Sequence, residues 1–385
     1  MHELSKMIKD DMKPALGVTE PGAIAFAVAK ARSFTKGDIK KVNVAMNSGM
    51  YKNAFTCGIP NSNEVGNIFA AALGVVAGNA DKGLESLADV TPEDNVKAQE
   101  MIDQGKITVE LSGITSRIFI EATVETEEDK AIVTIRDSHT NITKIIVNDK
   151  VELETEDEKK TEEDGGEEES HSIHKYTLQQ LYDYVTTVDI EEIRFINEAY
   201  KVNLELFHEG LENPRTTFAR QLLAINNGKE VSDDEQKTAS LMCNAAIEAR
   251  VIGLDKPAMS ITGSGAHGII ATMPLYAAYK VNGYTEEQLL RATALSYLVC
   301  MYIKEYSGRL SAFCGCAIAA GSGMACALVY LRGGTVEMMA HTLNNMASSI
   351  TGMICDGGNQ GCTMKGVAAV DAAYKSVEFA MNGIY

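Results

Sequence analysis

The chain has 385 residues, 45% of them hydrophobic and 23% charged, which is the composition of an ordinary soluble globular protein with room for two domains. Its formal net charge of −18 argues against nucleic acid or an anionic membrane as a partner. Half of that charge lies in residues 152–169, where eleven acidic residues face only two lysines. This run has no apolar periodicity, so we expect a solvated loop.

The first helical pattern covers residues 4–31. Thr19 is well placed to cap a helix with Pro21 in its first turn, and the free backbone N–H groups there would bind an anion such as a substrate carboxylate. A threonine that only caps a helix is the more common case. Residues 41–46 then alternate as a strand, which delivers the chain to Lys52 and Asn53. Such a pair can hold a carboxylate, although most loop lysines are simply solvated.

Between residues 107 and 153 the hydrophobic period changes to two, which predicts three or four antiparallel strands. After residue 172 nearly every segment is again helical in pattern. We therefore expect a mainly α fold with an inserted α+β subdomain. Its parts are residues 1–105, the first part of a helical domain, residues 106–172, the inserted antiparallel sheet with the acidic loop, and residues 173–385, the larger helical part.

A glycine-rich loop at residues 263–268 interrupts the helical pattern and contains His267. Glycine loops beside helices can cradle anions, but a short Gly-x-Gly without a preceding Rossmann strand is weak evidence. His267 suits a satisfied core histidine as well as it suits a proton carrier or a substrate contact.

Six of the eight cysteines lie between residues 300 and 362, where glycine is also concentrated. Three cysteines stand in apolar helical surroundings and need be no more than core residues: Cys243, Cys300 and Cys326. Cys57 stands in a loop, where it could be structural or could line a site. Loop glycines flank the remaining thiols, and this setting favours ligands of a metal centre.

Zinc would require four closed nitrogen or sulfur ligands, and the nearest histidine, His341, lies within a predicted helix. Three thiolates from Cys316, Cys355 and Cys362 better fit a four-iron cluster. One iron of such a cluster has no protein ligand and can act as a Lewis acid toward a carboxylate, hydroxyl or thiol. The first of the three ligands could be Cys314 instead of Cys316.

Residues 310–331 carry no charge and are long enough to cross a bilayer, so a transporter with broken helices is the alternative from another functional class. The glycines, cysteines and serines within this run favour a buried helix that follows a ligand-bearing turn. The polar residues 1–6 predict no secretory segment, so we expect a cytoplasmic protein with unpaired thiols.

Seven motifs follow one another along most of the chain: Gly17-Val18-Thr19-Glu20-Pro21, Ser48-Gly49-Met50-Tyr51-Lys52-Asn53, Gly58-Ile59-Pro60-Asn61, Gly263-Ser264-Gly265-Ala266-His267-Gly268, Ser307-Gly308-Arg309, Cys314-Gly315-Cys316 and Gly358-Asn359-Gln360-Gly361-Cys362-Thr363-Met364-Lys365. In this order they resemble the L-cysteine desulfidase family, UPF0597-like relatives of the iron-sulfur L-serine dehydratase alpha chain. The resemblance implies a mainly helical fold with a mixed insert, an oxygen-sensitive [4Fe-4S] cluster on three cysteines, and elimination from a small amino acid to give pyruvate and ammonia.

The resemblance also suggests roles for individual residues. The cluster is expected on Cys316, Cys355 and Cys362. The candidates for the base that takes the α-proton are Glu20, Lys52 and His267. Contacts to the substrate are expected from five polar residues: Thr19, Ser48, Asn53, Asn61 and Asn359.

One departure from the family pattern is Val18, where desulfidases usually carry a cysteine that is implicated in catalysis. Valine cannot move a proton. The substrate could therefore be L-serine or another β-substituted amino acid instead of L-cysteine, or the chain could be a relative that binds without turnover. A small amino acid is the expected partner, and the oligomeric state stays open, with a homodimer as one option.

Overall fold

A computed structural model of the protein describes residues 1–115, 117–155, 172–308 and 310–385. Arg309 of the Ser-Gly-Arg motif and most of the acidic run lie outside the described residues. The predicted acidic loop therefore stays a prediction.

The fold is built from β-strands and α-helices. Eight strands are present in the described part of the chain: β1 Lys13–Leu16, β2 Ile39–Asn47, β3 Ile107–Gly113, β4 Phe119–Thr126, β5 Lys130–Arg136, β6 Ile142–Val147, β7 Lys150–Glu154 and β8 Pro257–Ser260. The α-helices described are α1 Glu3–Asp11, α2 Thr19–Arg32, α3 Ser48–Ala54, α4 Asn67–Ala77, α5 Pro92–Asp103, α6 Leu178–Thr187, α7 Ile190–Ile193, α8 Asn197–Glu212, α9 Phe218–Ile225, α10 Glu235–Val251, α11 Gly265–Asn282, α12 Glu286–Ser307, α13 Gly321–Leu331, α14 Val336–Ile350 and α15 Gly361–Met381.

A six-stranded sheet in the order β3-β2-β4-β5-β6-β7 forms one part of the molecule. Strand β2 runs parallel to β3 and antiparallel to β4, and the remaining pairs are antiparallel. Its alternate residues Val42, Val44 and Met46 are fully buried in a core shared with α2 and α4. Period-two alternation puts these three side chains on one face, where the helices cover them.

The helical part of the molecule is organised around α10, which is buried along nearly all of its length. It packs against α8, α9, α11 and α15. Small residues such as Ala239, Ala245 and Ala249 allow these helices to approach it closely. A helix that is buried all round has no polar face to turn to water, so any charge that it carries needs a specific environment.

The expected fold class, mainly α with an inserted sheet, is confirmed. The sheet is larger than predicted: residues 107–154 form five strands instead of three or four, and β2 from the N-terminal region lies between β3 and β4. The prediction that all of these strands are antiparallel is wrong for β3, which pairs in parallel with β2. Thr19 is not the N-cap of α2. Val18 occupies that position, and no side chain caps the helix. None of the helices described here has the length and hydropathy needed to cross a membrane.

The contact between α12 and α13 depends on a glycine. A Cβ added to Gly323 would stand 2.2 Å from the carbonyl oxygen of Ser296 and 3.3 Å from the amide nitrogen of Cys300. Neither backbone atom can move without shifting α12. The two helices can therefore pack at this distance only while position 323 has no side chain.

Gly323→Ala should lower the free energy of unfolding by about 1–3 kcal/mol, because the added methyl group overpacks a backbone contact. Gly352→Ala is the matched control, since nothing lies within 4 Å of the added Cβ at that position. Chemical denaturation of the two variants and the wild type measures the difference. Equal stability of all three would contradict the close packing of α12 on α13.

Candidate active site

A polar cleft lies where the sheet, the helical part and the cysteine-rich segments meet. We call it the central cleft, and its cavity has a volume of about 80 Å³. A cavity needs only ~10–15 Å³ of such volume to hold one water, so the cleft can take a small polar ligand. The lining residues are Thr19, Glu20, Lys52, Asn53, His139, Arg250, Thr262, Gly263, Ser264, His267, Lys304, Leu310, Ser311, Phe313, Gly315, Cys316 and Cys355.

Two cysteine-bearing segments are fastened to each other along one side of this cleft. The amide of Cys355 donates to the carbonyl of Ala312 at 2.9 Å, and the amide of Cys314 donates to the carbonyl of Met353 at 2.8 Å. Phe313 and Ile354 form an antiparallel bridge between these bonds. The pairing brings together thiols that are about forty residues apart in the sequence.

The glycine loop that follows Cys355 packs on the end of α3. The amide of Gly358 donates to the carbonyl of Asn53 at 3.0 Å, and a Cβ on Gly357 would stand 2.3 Å from the carbonyl oxygen of Lys52. The φ of Gly357 is +108°, which only glycine adopts readily. The Sγ of Cys355 lies 3.9 Å from Oδ1 of Asn53. Glycine at 357 and 358 is therefore required for the approach of this loop to α3.

Cys362 begins α15 from the other end of the same loop. Its Sγ lies 3.2 Å from the carbonyl oxygen of Gly357, and its amide donates to the carbonyl of Asn359 at 2.9 Å. Gln360 ties the loop to α10, because its Nε2 donates to Oε1 of the buried Glu248 at 2.8 Å. The position of Cys362 is thus fixed by contacts with two separate helices.

Four thiols are close enough to influence one another electrostatically. A hydrogen bond between Cys314 and Cys316 lowers the pKa of Cys314 to about 6 and raises that of Cys316. The pair therefore loses its first proton below the usual thiol range. Cys355 and Cys362 also lie near enough to Cys316 to raise its pKa, so Cys316 is the member of the pair that neighbours both.

A single ion and an iron-sulfur cluster require different spacings of their thiolate ligands. Within the described residues, no three His, Cys, Asp or Glu side chains are grouped as ligands of one metal ion. Sulfur ligands about 2.3 Å from a tetrahedral zinc would stand only ~3.8 Å from each other. An iron-sulfur cluster carries each thiolate on a different iron, so its ligands lie farther apart. Thiols of Cys316, Cys355 and Cys362 that converge without forming a single-ion site are compatible with such a cluster.

His267, at the start of α11, faces this side of the cleft. Thr262 Oγ1 donates to the carbonyl of Ile261 at 2.7 Å, so it accepts from Nδ1 of His267, which is 2.5 Å away. With Nδ1 as the donor in this bond, Nε2 is left as an acceptor. Nε2 lies 3.0 Å from the point where a Cβ on Gly315 would stand.

The charge state of His267 is set by its surroundings. Burial lowers its pKa well below the usual value, and the nearby cations Lys304 and Arg250 lower it further. The ring is therefore neutral at pH 7, with a free lone pair on Nε2.

Thr262 has a φ of +53°, a strained conformation for a β-branched residue, and strain of this kind is concentrated at functional sites.

Among the described residues, three cations line the cleft, Lys52, Arg250 and Lys304, and Glu20 is the one carboxylate. Nζ of Lys52 donates to the carbonyl of Ser311 at 3.1 Å, and Nζ of Lys304 donates to that of Gly308 at 2.7 Å. Burial lowers the pKa of Lys304. The positive charge of the lining suits an anionic ligand.

Glu20 comes from the first turn of α2 and is buried. Its Oε1 accepts from Nδ2 of Asn53 at 2.9 Å and lies 3.9 Å from Nε2 of His139, in the connection between β5 and β6. The inserted sheet therefore contributes a side chain to the cleft. A carboxylate opposite three cations gives the cleft one point suited to an ammonium group.

The structure brings together most of the residues that the sequence singles out. The cleft lining includes seven of them: Thr19, Glu20, Lys52, Asn53, His267, Cys316 and Cys355. Cys362 is not in the lining but neighbours Cys314 and Cys316.

Three other residues expected to contact the substrate lie elsewhere. Ser48 Oγ is 3.3 Å from the carbonyl oxygen of Thr115. Asn61 donates to the carbonyl of Ala88 at 2.8 Å, and Asn359 Oδ1 accepts from the amide of Gly361 at 2.8 Å. These contacts stabilise turns next to the cleft.

Sequence reasoning missed Arg250, Lys304, His139 and Thr262. Arg250 and Lys304 each lie near the end of a largely apolar helix, α10 and α12, and are 6% and 5% exposed. A lone charge among apolar helical residues was a usable signal, because a buried charge needs a partner or a function. His139 carried no such signal, since it stands in a turn between strands.

Comparisons with known proteins show the family of this chain. The family model described as serine dehydratase alpha chain matches residues 81–385. A UPF0597 protein of Clostridium botulinum is 40% identical over 380 residues, which cover 98% of this chain and 88% of that protein. Another from Caldanaerobacter subterraneus is 36% identical over 382 residues, and one from Clostridium tetani is 34% identical over 385, each covering 99% of this chain and 88% of the relative. This chain therefore belongs to the serine dehydratase alpha chain family, in its UPF0597 group.

Proposed function

We propose that the protein is a [4Fe-4S]-dependent lyase that eliminates water or hydrogen sulfide from a small L-amino acid, of the L-serine or L-cysteine type, to give pyruvate and ammonia. The observation that carries this proposal is the position of neutral His267, with Nε2 free, in a small cationic cleft that Cys316 and Cys355 also line. Family membership supports the same class of reaction.

Cys316, Cys355 and Cys362 would hold the cluster, which when bound would supply a Lewis acid to polarise the leaving group or the carboxylate. The pairing of segments 312–314 and 353–355 orients Cys355, and it fixes the chain two residues before Cys316, before any metal arrives. Cys314 is 4% exposed and is not among the residues that line the cleft, and its own thiolate is the one that the hydrogen bond from Cys316 stabilises.

Elimination needs a base for the α-proton, and His267 meets the requirement. Its Nε2 would accept the proton, the C–H electron pair would form the Cα–Cβ double bond, and the β-substituent would leave with its own electron pair and take up a proton as water or hydrogen sulfide. The resulting aminoacrylate gives pyruvate and ammonia on tautomerisation and hydrolysis. The Thr262 hydroxyl holds the imidazole in the tautomer that this step requires.

Glu20 and Asn53 would orient the substrate by its ammonium group. Glu20 is buried and already accepts a hydrogen bond from Asn53, so its carboxylate is fixed before the ligand arrives. Lys52 is tied to the carbonyl of Ser311 and would hold that segment beside the cleft. We infer a cytoplasmic location, where thiols stay reduced and a cluster open to substrate is less exposed to oxygen.

A second candidate is a relative that binds without turnover or acts on a different substrate, for which Val18 is the motivating residue. Val18 is 4% exposed and does not line the central cleft. Its methyl groups pack at the backbone of Gly358, where Cys57 is the other neighbour. Valine at this position therefore leaves the lining of the cleft complete, which favours the catalytic assignment.

Serine substitution of Cys316, Cys355 or Cys362 should each abolish bound iron and acid-labile sulfide in anaerobically purified protein, because each removes one thiolate ligand. Cys243→Ala is the matched control, since Cys243 is fully buried in α10 and lies outside the cleft. Iron and sulfide analysis, with the visible absorption spectrum, measures the outcome. Full iron content in all three serine variants would refute the ligand assignment.

His267→Gln should lower kcat for pyruvate formation by about 10²–10⁴-fold with a smaller change in KM, because the amide cannot accept the α-proton. His208→Gln is the control, since His208 is half exposed on α8, outside the cleft lining, and its ring pairs with Glu230. The wild-type rate should not fall as the pH drops through 6.5 on account of His267, because the lowered pKa keeps the ring neutral there. A His267→Gln variant with normal kcat would assign the base to another residue.

A further inference from the structure

Arg250 is the cleft residue whose environment the proposed steps leave unexplained. Its side chain ends α10 and is 94% buried, being 6% exposed. Nε is fully buried and has no hydrogen-bond partner, and no ion pair in the described part of the chain involves this guanidinium. A guanidinium stays charged at any ordinary pH, so Arg250 is a buried cation that no carboxylate of the described residues contacts as an ion pair.

A buried, unpaired guanidinium is unfavourable unless an anion binds to it. A buried charge that is neither paired nor hydrogen-bonded costs several kcal/mol, and arginine cannot remove the cost by losing a proton. Lys52 and Lys304 differ in this respect, because both donate to carbonyl oxygens of residues 308–311.

The nearest carboxylate in sequence does not serve as the partner. Glu248 stands two residues before Arg250 on α10, but its oxygens accept from the amides of Thr217 and Ala219, each at 2.8 Å, and from Gln360. It is engaged at the start of α9 and at the cysteine loop. The guanidinium is left to face the central cleft, whose lining it joins.

The glycine-rich loop at residues 263–265 fixes the orientation of this guanidinium. A Cβ on Gly265 would stand 2.6 Å from Nε and 3.0 Å from Cδ of Arg250, so the arginine lies directly against the backbone at the start of α11. Gly263 and Ser264 line the cleft beside it. A guanidinium whose Nε lies against this backbone still has its two terminal nitrogens to present parallel N–H groups to one ligand, the geometry that matches a carboxylate.

We propose that Arg250 is the carboxylate anchor of the substrate site, binding the α-carboxylate of the amino acid and the carboxylate of the pyruvate product. This inference rests on the proposed function for the identity of the ligand, and it makes a specific claim about selectivity. Substrates must carry a free carboxylate, and their amides or esters are excluded. With Glu20 binding the ammonium group and Arg250 binding the carboxylate, the α-hydrogen and the β-substituent of the substrate face His267 and the thiols.

Binding of pyruvate to the anaerobically purified protein, followed by ligand-observed NMR, tests the anchor without relying on turnover. Arg250→Met should weaken pyruvate binding by at least about 30-fold, since it removes a buried bidentate charge pair. Arg250→Lys should bind with intermediate affinity, because it keeps the charge and loses the fork geometry. Arg220→Met, on the exposed face of α9, is the control and should bind as the wild type does. Pyruvamide, which lacks the charge, should bind weakly and equally to all four proteins.

The rival anion is the cluster itself, because Arg250 lies close enough to Cys362 to lower its pKa. All titrations are therefore compared at equal iron content. Unchanged pyruvate affinity in Arg250→Met overturns the anchor, and loss of iron alone in that variant assigns the guanidinium to the cluster.

The proposed function and the anchor can fail separately. A wild type that produces no pyruvate from any β-substituted amino acid, but binds pyruvate through Arg250, removes the lyase and keeps the carboxylate site. A wild type that turns over L-serine while Arg250→Met keeps both its pyruvate affinity and its KM removes the anchor and keeps the lyase. If the lyase function and the carboxylate anchor both hold, the KM for L-serine rises at least about 30-fold in Arg250→Met.

Discussion

The site depends on the pairing of the two cysteine-bearing segments with each other and with the end of α3. Two backbone hydrogen bonds join residues 312–314 to 353–355, and the glycine loop beyond them reaches the carbonyls of Lys52 and Asn53. Because Asn53 also holds Glu20, one short helix connects the thiols to the carboxylate of the cleft. Preorganisation of this kind lowers the entropy lost when a metal centre or a substrate binds.

The second constraint is electrostatic. Three cations and several thiols occupy one poorly solvated volume, and each affects the protonation of the others. Burial, with the nearby cations, lowers the pKa of His267 and leaves its ring unprotonated at pH 7, while the same cations favour thiolates and anionic ligands. Acid-base chemistry, metal binding and anion recognition are therefore consequences of a single charge arrangement, which is why the cleft needs few residues.

The sequence was sufficient for the fold class and for most of the cleft, because each of those features has a local signature. Alternation marked the strands, glycine-flanked cysteines marked the ligand loops, and a histidine among glycines marked His267. The sequence could not show which segments contact each other when they lie far apart in the chain. Nothing in residues 39–47 shows that this strand lies inside the later sheet, and nothing near Thr19 shows that Val18 ends up at the N-cap. Arg250 was missed because its role depends on its neighbour Glu248 being engaged elsewhere. Those contacts of Glu248 are long-range and have no local signature in the sequence.

The central claim is elimination at a cluster-bearing site, and the most direct measurement is product analysis of the anaerobically purified, iron-loaded protein. L-serine and L-cysteine are each supplied, and pyruvate and ammonia are quantified together. We predict equal amounts of the two products from at least one of these substrates, with hydrogen sulfide as the third product from cysteine, and loss of all products when the iron is removed. Equal turnover by iron-free protein, or no pyruvate from either amino acid by the iron-loaded protein, would contradict the account.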